Sequence, residues 1–145
     1  MGRPGQLIGI ADCGLRIGDC GLGLREVMSP DEMKKRTKAY ALAIIRLVQR
    51  LPSTPTARMI GNQLLRSGTS VGSNYRASCR AKSRADFIAK MGIVEEEADE
   101  SIYWLELLVE AGIVPESEVA EHHNEGNQIV AIVVSSINTA RGIKR

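Results

Sequence analysis

Aromatic side chains are scarce. One Trp, one Phe and three Tyr stand among 145 residues. A β-sandwich leans on aromatic and β-branched strands, so this composition favours helices packed through Leu, Ile, Val and Ala. Long apolar runs are missing too: none approaches the ~20 residues that a membrane-spanning helix needs. The only two histidines are His122 and His123. As neighbours on a helix they project about 100° apart and cannot share one metal. A di-iron bundle requires Glu-x-x-His on two helices, and here position 119 is Val119. The three cysteines, Cys13, Cys20 and Cys79, are odd in number and irregularly spaced. That excludes a disulfide framework and points to the reducing cytosol. Cys79 reads as a buried core thiol. No metal and no cofactor is expected.

The chain divides at Met28. Residues 1–27 carry seven of the fourteen glycines and a near repeat, Ile10-Ala-Asp-Cys-Gly-Leu15 and Ile17-Gly-Asp-Cys-Gly-Leu22. Glycine at this density opposes a helix. Cys13 and Cys20 supply only two of the four ligands of a structural zinc. The segment reads as a flexible leader, with the native start at Met28. Residues 28–145 read as one all-α domain, an antiparallel up-down four-helix bundle. Ser29-Pro30-Asp31-Glu32 is a capping box with Pro at the first helical position, and its helix runs to about Leu51. Pro55 starts a second helix. Ser83-Arg84-Ala85-Asp86 caps a third, which Gly112 stops. Pro115 opens a fourth, ending near Arg141-Gly142. The run 129–134 could pass for a strand, but it would have no strand to pair with.

On a helical wheel the second helix has two distinct faces. Ala57, Ile60, Leu64, Gly68, Val71, Tyr75 and Ser78 form a core face. Gly61, Gly68 and Gly72 run beside it. Each costs up to about 1 kcal/mol of helix propensity, which close approach of a neighbouring backbone would justify. The opposite face carries Arg58, Arg66, Arg76 and Arg80, interleaved with Asn62, Thr69 and Ser73.

Charge is segregated along the chain. Residues 34–90 contain thirteen bases and one acid, Asp86, whereas residues 91–125 contain eleven acids and no base. Lys34, Lys35 and Lys38 supplement the four arginines as a candidate nucleic-acid surface. Guanidinium forks suit phosphate, and with no aromatics interleaved the surface would grip backbones rather than stack bases. The third helix has an expected core face of Phe87, Met91, Val94, Ala98, Ile102, Leu105 and Val109. A second stripe, Ile93, Glu97, Glu100, Trp104 and Leu107, mixes apolar and acidic residues away from that core. It is a candidate subunit interface, joined by Ile132 and Val134 off the core face of the fourth helix. The competing expectation is that salt bridges between neighbouring helices take up these charges.

Two stretches carry a resemblance: Gln63–Ser78, QLLRSGTSVGSNYRAS, and Ser83–Glu106, SRADFIAKMGIVEEEADESIYWLE. The domain resembles the four-helix-bundle proteins encoded within intervening sequences of bacterial large-subunit ribosomal RNA genes. It is more distantly similar to accessory variability-determinant proteins of diversity-generating retroelements. The resemblance covers about Ser29 to Arg141. It implies a ring-shaped homopentamer without enzymatic activity. Its retroelement branch implies nucleic-acid and protein partners held by a basic surface. Asn74-Tyr75-Arg76-Ala77-Ser78 departs from the family's Asn-Ile-Ala-Glu-Gly, and Arg76 in place of an acid strengthens the basic seam. The expectation is therefore a cytoplasmic, non-enzymatic, self-assembling protein. Its partner is RNA or DNA, or, on the alternative reading, another protein for which it is a scaffold; no membrane is involved.

Overall fold

The computed structural model describes residues 28–143, and the readings made on residues 1–27 lie outside them. Four helices follow in order: α1 (Pro30–Gln49), α2 (Pro55–Ser78), α3 (Arg84–Glu110) and α4 (Glu116–Ala140). Their starts are local chemistry. Ser29 closes a full capping box, its N–H donating to Glu32 Oε2 at 2.6 Å while the Glu32 N–H donates to Ser29 Oγ at 3.1 Å. Thr54 caps α2 by accepting from the Ala57 N–H at 3.2 Å. At α3, Ser83 Oγ accepts from the Asp86 N–H, but the Asp86 carboxylate reaches one residue further back, to the Lys82 N–H. Each of these bonds satisfies a donor that a helix start leaves without an intrahelical partner. Gly112, at φ 71°, ends α3 in the left-handed conformation. The Ile113 N–H bonds Leu108 O and the Gly112 N–H bonds Val109 O, the two bonds of a Schellman stop.

The helices pack in chain order, α1 on α2, α2 on α3 and α3 on α4, with a lighter α1–α4 seam completing the bundle. The core face expected of α2 is buried at every position. Its three glycines lie against α1 in antiparallel register: a Cβ on Gly61 would meet Val48 and Leu51, one on Gly68 would meet Ile44, and one on Gly72 would meet Thr37.

Three expectations about burial need correction. Val109 is half-buried, and Leu108 takes its place in the core. Within the buried set of α3, Phe87, Met91, Val94, Ala98, Ser101, Leu105 and Leu108 step four and three in alternation, with Ile102 buried beside Ser101. That is the 3.5-residue repeat of a supercoiled seam, which a 3.6-residue wheel drifts away from by the last turn. Ile132 lies in the core beside Val133, because α4 is wedged between two neighbours and buries a broader stripe. Cys79 is half-buried at the C-terminal cap of α2, where the helix leaves the core.

The buried hydroxyls of Tyr40 and Ser101 are paired. Ser101 Oγ donates to Ala98 O at 2.7 Å, so the Tyr40 hydroxyl, 2.7 Å away, is the donor between them. Burial pushes the Tyr40 phenol up to about 12, which keeps that donor protonated. No helix among the described residues is long and apolar enough to cross a membrane.

Candidate nucleic-acid interface

The expected basic seam separates into three parts. Arg58 is exposed near the start of α2, roughly 27 Å along the helix from Arg76 at 1.5 Å per residue. Arg66 is engaged. One of its terminal nitrogens bonds Glu97 Oε2 at 3.2 Å, and the other bonds Glu100 Oε1. The Trp104 indole N–H donates to the same Glu100 oxygen at 3.0 Å. The Glu100 carboxyl is held below the usual glutamate value, first by Arg66 and then by Trp104, and Arg66 is raised in return. Arg66 thus stays on the exposed outer face as expected, but its guanidinium is ion-paired. The acidic stripe of α3 lies within reach of the α2 seam, and opposite charges meet there.

Arg76 and Arg80, by contrast, converge with Lys34, Lys35 and Lys38 from α1. These five line one groove of about 500 Å³ between the N-terminal half of α1 and the C-terminal half of α2. Its small-residue lining is Ala41, Thr69, Gly72 and Ser73. At its foot Gly72 packs on Thr37: a Cβ there would stand 3.3 Å from Thr37 Oγ1 and 3.5 Å from its carbonyl carbon. Asp31 is the one acid of the lining, and it pairs weakly with Lys34 at 3.9 Å. Among the described residues, Lys35, Lys38, Arg76 and Arg80 make no ion pair within 4.0 Å. The groove hydroxyls are turned inward: Thr69 Oγ1 donates to Leu65 O at 2.6 Å and Ser73 Oγ to Ser70 O at 3.1 Å. Neither hydroxyl is hydrogen-bonded to a histidine or carboxylate.

The acidic half has a smaller cleft of about 280 Å³ between α3 and α4, lined by Glu106, Glu110, Glu116 and His123 over Leu105, Val109, Val119 and Ala120. His123 Nε2 lies 3.1 Å from Glu106 Oε1, while the Nδ1 of His122 is shielded from solvent and has no hydrogen-bond partner among the described residues. Among the described residues no group of three or more His, Cys, Asp or Glu could hold a metal ion.

The α3 stripe expected at a subunit interface is likewise divided. Ile93 is 44% exposed. Glu97, Glu100, Trp104 and Leu107 are half-buried, and Trp104 and Leu107 pack on the core. Next to Trp104, and not anticipated, Tyr103 is 51% exposed and meets the indole edge-on with ring centroids 5.1 Å apart. Sequence reasoning also missed Arg36, which joins α1 to α4 through Glu125 Oε1 at 2.5 Å, Glu125 Oε2 at 3.0 Å and Gln128 Oε1 at 2.6 Å. Those partners lie 89 and 92 residues away, and no local pattern marks them.

No curated protein matches the chain. A solved structure from Bacteroides thetaiotaomicron, described as a protein of unknown function from the S23 ribosomal protein family, is 36% identical. The match covers 72% of this chain and 96% of that one, with a TM-score of 0.67. Residues 31–135, which span α1 but for its first residue, all of α2 and α3 and most of α4, match the sequence profile of the 23S rRNA-intervening sequence proteins, and the chain belongs to that family.

Proposed function

We propose that this protein is a non-enzymatic, self-assembling accessory factor of the cytoplasm that binds RNA or DNA by its phosphate backbone. The observation that carries this reading is the α1–α2 groove. Five cationic side chains converge on it, and four of them have no carboxylate within ion-pair distance among the described residues. Cations left in that state attract a polyanion, whereas Arg66, already neutralised, adds little. Arg76 and Arg80 can each present two parallel N–H donors to one phosphate. The lysines act as point charges on the opposite rim. The groove lining contains no aromatic residue, so base stacking is not offered and sequence preference is weak. The inward-bonded hydroxyls, hydrogen-bonded to no histidine or carboxylate, support binding rather than chemistry. Assembly into a ring, as a pentamer, would repeat the groove and raise affinity by proximity.

The test is a filter-binding series over salt with unrelated sequences. The double variant Arg76→Ala, Arg80→Ala should weaken binding equally across sequences and reduce the log–log salt slope by about two. Arg66→Ala should leave binding within about twofold, the 0.4 kcal/mol scale of a screened surface charge. A wild-type protein that binds no oligonucleotide at low salt rejects this reading. It would leave the second one, a scaffold for a protein partner, which the exposed Ile93 and Tyr103 favour.

A further inference from the structure

We infer that the α1–α2 groove takes a single nucleic-acid strand and not a duplex, an inference that rests on the phosphate-binding reading above. The argument is one of shape. Adjacent packed helices stand about 8–10 Å apart, and the glycine contact at Gly72 holds this pair close at the groove's foot. The two cationic rims are therefore carried by closely spaced backbones. A duplex is a far broader convex body, with a major groove alone about 12 Å wide. Laid over the rims, it would touch the side-chain ends from above and leave the floor empty.

A single strand can descend between the rims. There it meets Lys34, Lys35 and Lys38 on one flank and Arg76 and Arg80 on the other, so each phosphate entering the groove has cations on two sides. The floor suits this occupant, because Ala41, Thr69, Gly72 and Ser73 leave room where larger residues would fill it. Lys34 to Lys38 and Arg76 to Arg80 each span one turn, about 6 Å of helix axis, so the five cations of the lining are clustered tightly.

The experiment uses the full chain and two labelled probes at equal salt, an unstructured 15-nucleotide oligouridylate or oligothymidylate and a blunt 15-base-pair duplex. Fluorescence anisotropy should give at least tenfold tighter binding of the single strands. Ser73→Leu fills the floor at an exposed position without altering charge. It should weaken single-strand binding at least fivefold and leave the duplex unchanged, with far-UV circular dichroism confirming the fold. A duplex bound as tightly as the single strand, or a Ser73→Leu protein with undiminished single-strand affinity, overturns the inference while leaving phosphate binding intact. If neither probe binds, both readings fall together.

Discussion

Gly126 shows how much one hydrogen atom can decide. A Cβ there would stand 2.9 Å from Ile102 Cγ1 and 3.0 Å from the Tyr40 hydroxyl, the donor that bonds Ser101. Gly92, also helical, has nothing within 4 Å of the same position. Alanine improves intrinsic helix propensity at both by about 1 kcal/mol, but overpacking a core costs about 1–3 kcal/mol. Gly92→Ala should therefore raise the urea midpoint. Gly126→Ala should lower it, by about 1–2 kcal/mol in stability, and a stabilised Gly126→Ala protein would contradict the packing described here. The caps belong to the same scale, and those at Ser29 and Ser83, though not the one at Thr54, were legible in advance. Ser29, Thr54 and Ser83 each act on an N–H group three residues away, so the signal is contained in a few letters of sequence.

Between elements, the α2–α3 seam is fixed by Arg66, Glu97, Glu100 and Trp104. Glu100 sits below its ordinary value of 4.5, so its contribution to stability is present above that pH and disappears as the pH falls through the depressed value. Asp86, lowered from 3.8 by Lys90 and the Lys82 N–H, acts in the same direction. Acid titration followed by circular dichroism should show stability falling below about pH 4.5. Glu100→Gln should flatten that fall, and an unchanged acid profile would remove Glu100 from the account. The sequence carried the helices, the small-residue face and both charge blocks. It could not carry which cations end up neutralised. Arg66 meets its carboxylates 31 and 34 residues away, and whether they face it depends on the antiparallel register of two long helices. The same register brings Lys34–Lys38 opposite Arg76–Arg80 and leaves Arg58 far off. A wheel drawn for one helix cannot contain that information, and a 3.6-residue wheel could not place Leu108 inward in preference to Val109.

For the whole molecule, charge segregation survives folding on two sides of the bundle: a cationic groove on α1 and α2 and an acidic cleft on α3 and α4. The polar ties named above, Arg36 to Glu125 and Arg66 to Glu97 and Glu100, join the two halves without neutralising either. Large apolar side chains stay exposed at Leu42, Met59 and Ile143 and, on α3, at Ile93 and Tyr103, the pair that forms the candidate contact. If copies associate through it, Ile93→Glu with Tyr103→Glu should lower the assembly mass in light scattering while the helical content stays constant. Trp104→Ala is the poorer probe, because its half-buried ring also packs on the core and its loss would weaken the fold itself. An assembly of unaltered mass in the double variant would exclude this face as the contact.

The close packing of Gly72 on Thr37 has one further consequence. Side chains swing aside for a guest, but peptide units locked in hydrogen-bonded coils do not. The bottom of the slot is therefore a mould cast before any guest arrives, and only the flexible ammonium and guanidinium arms above it are free to close.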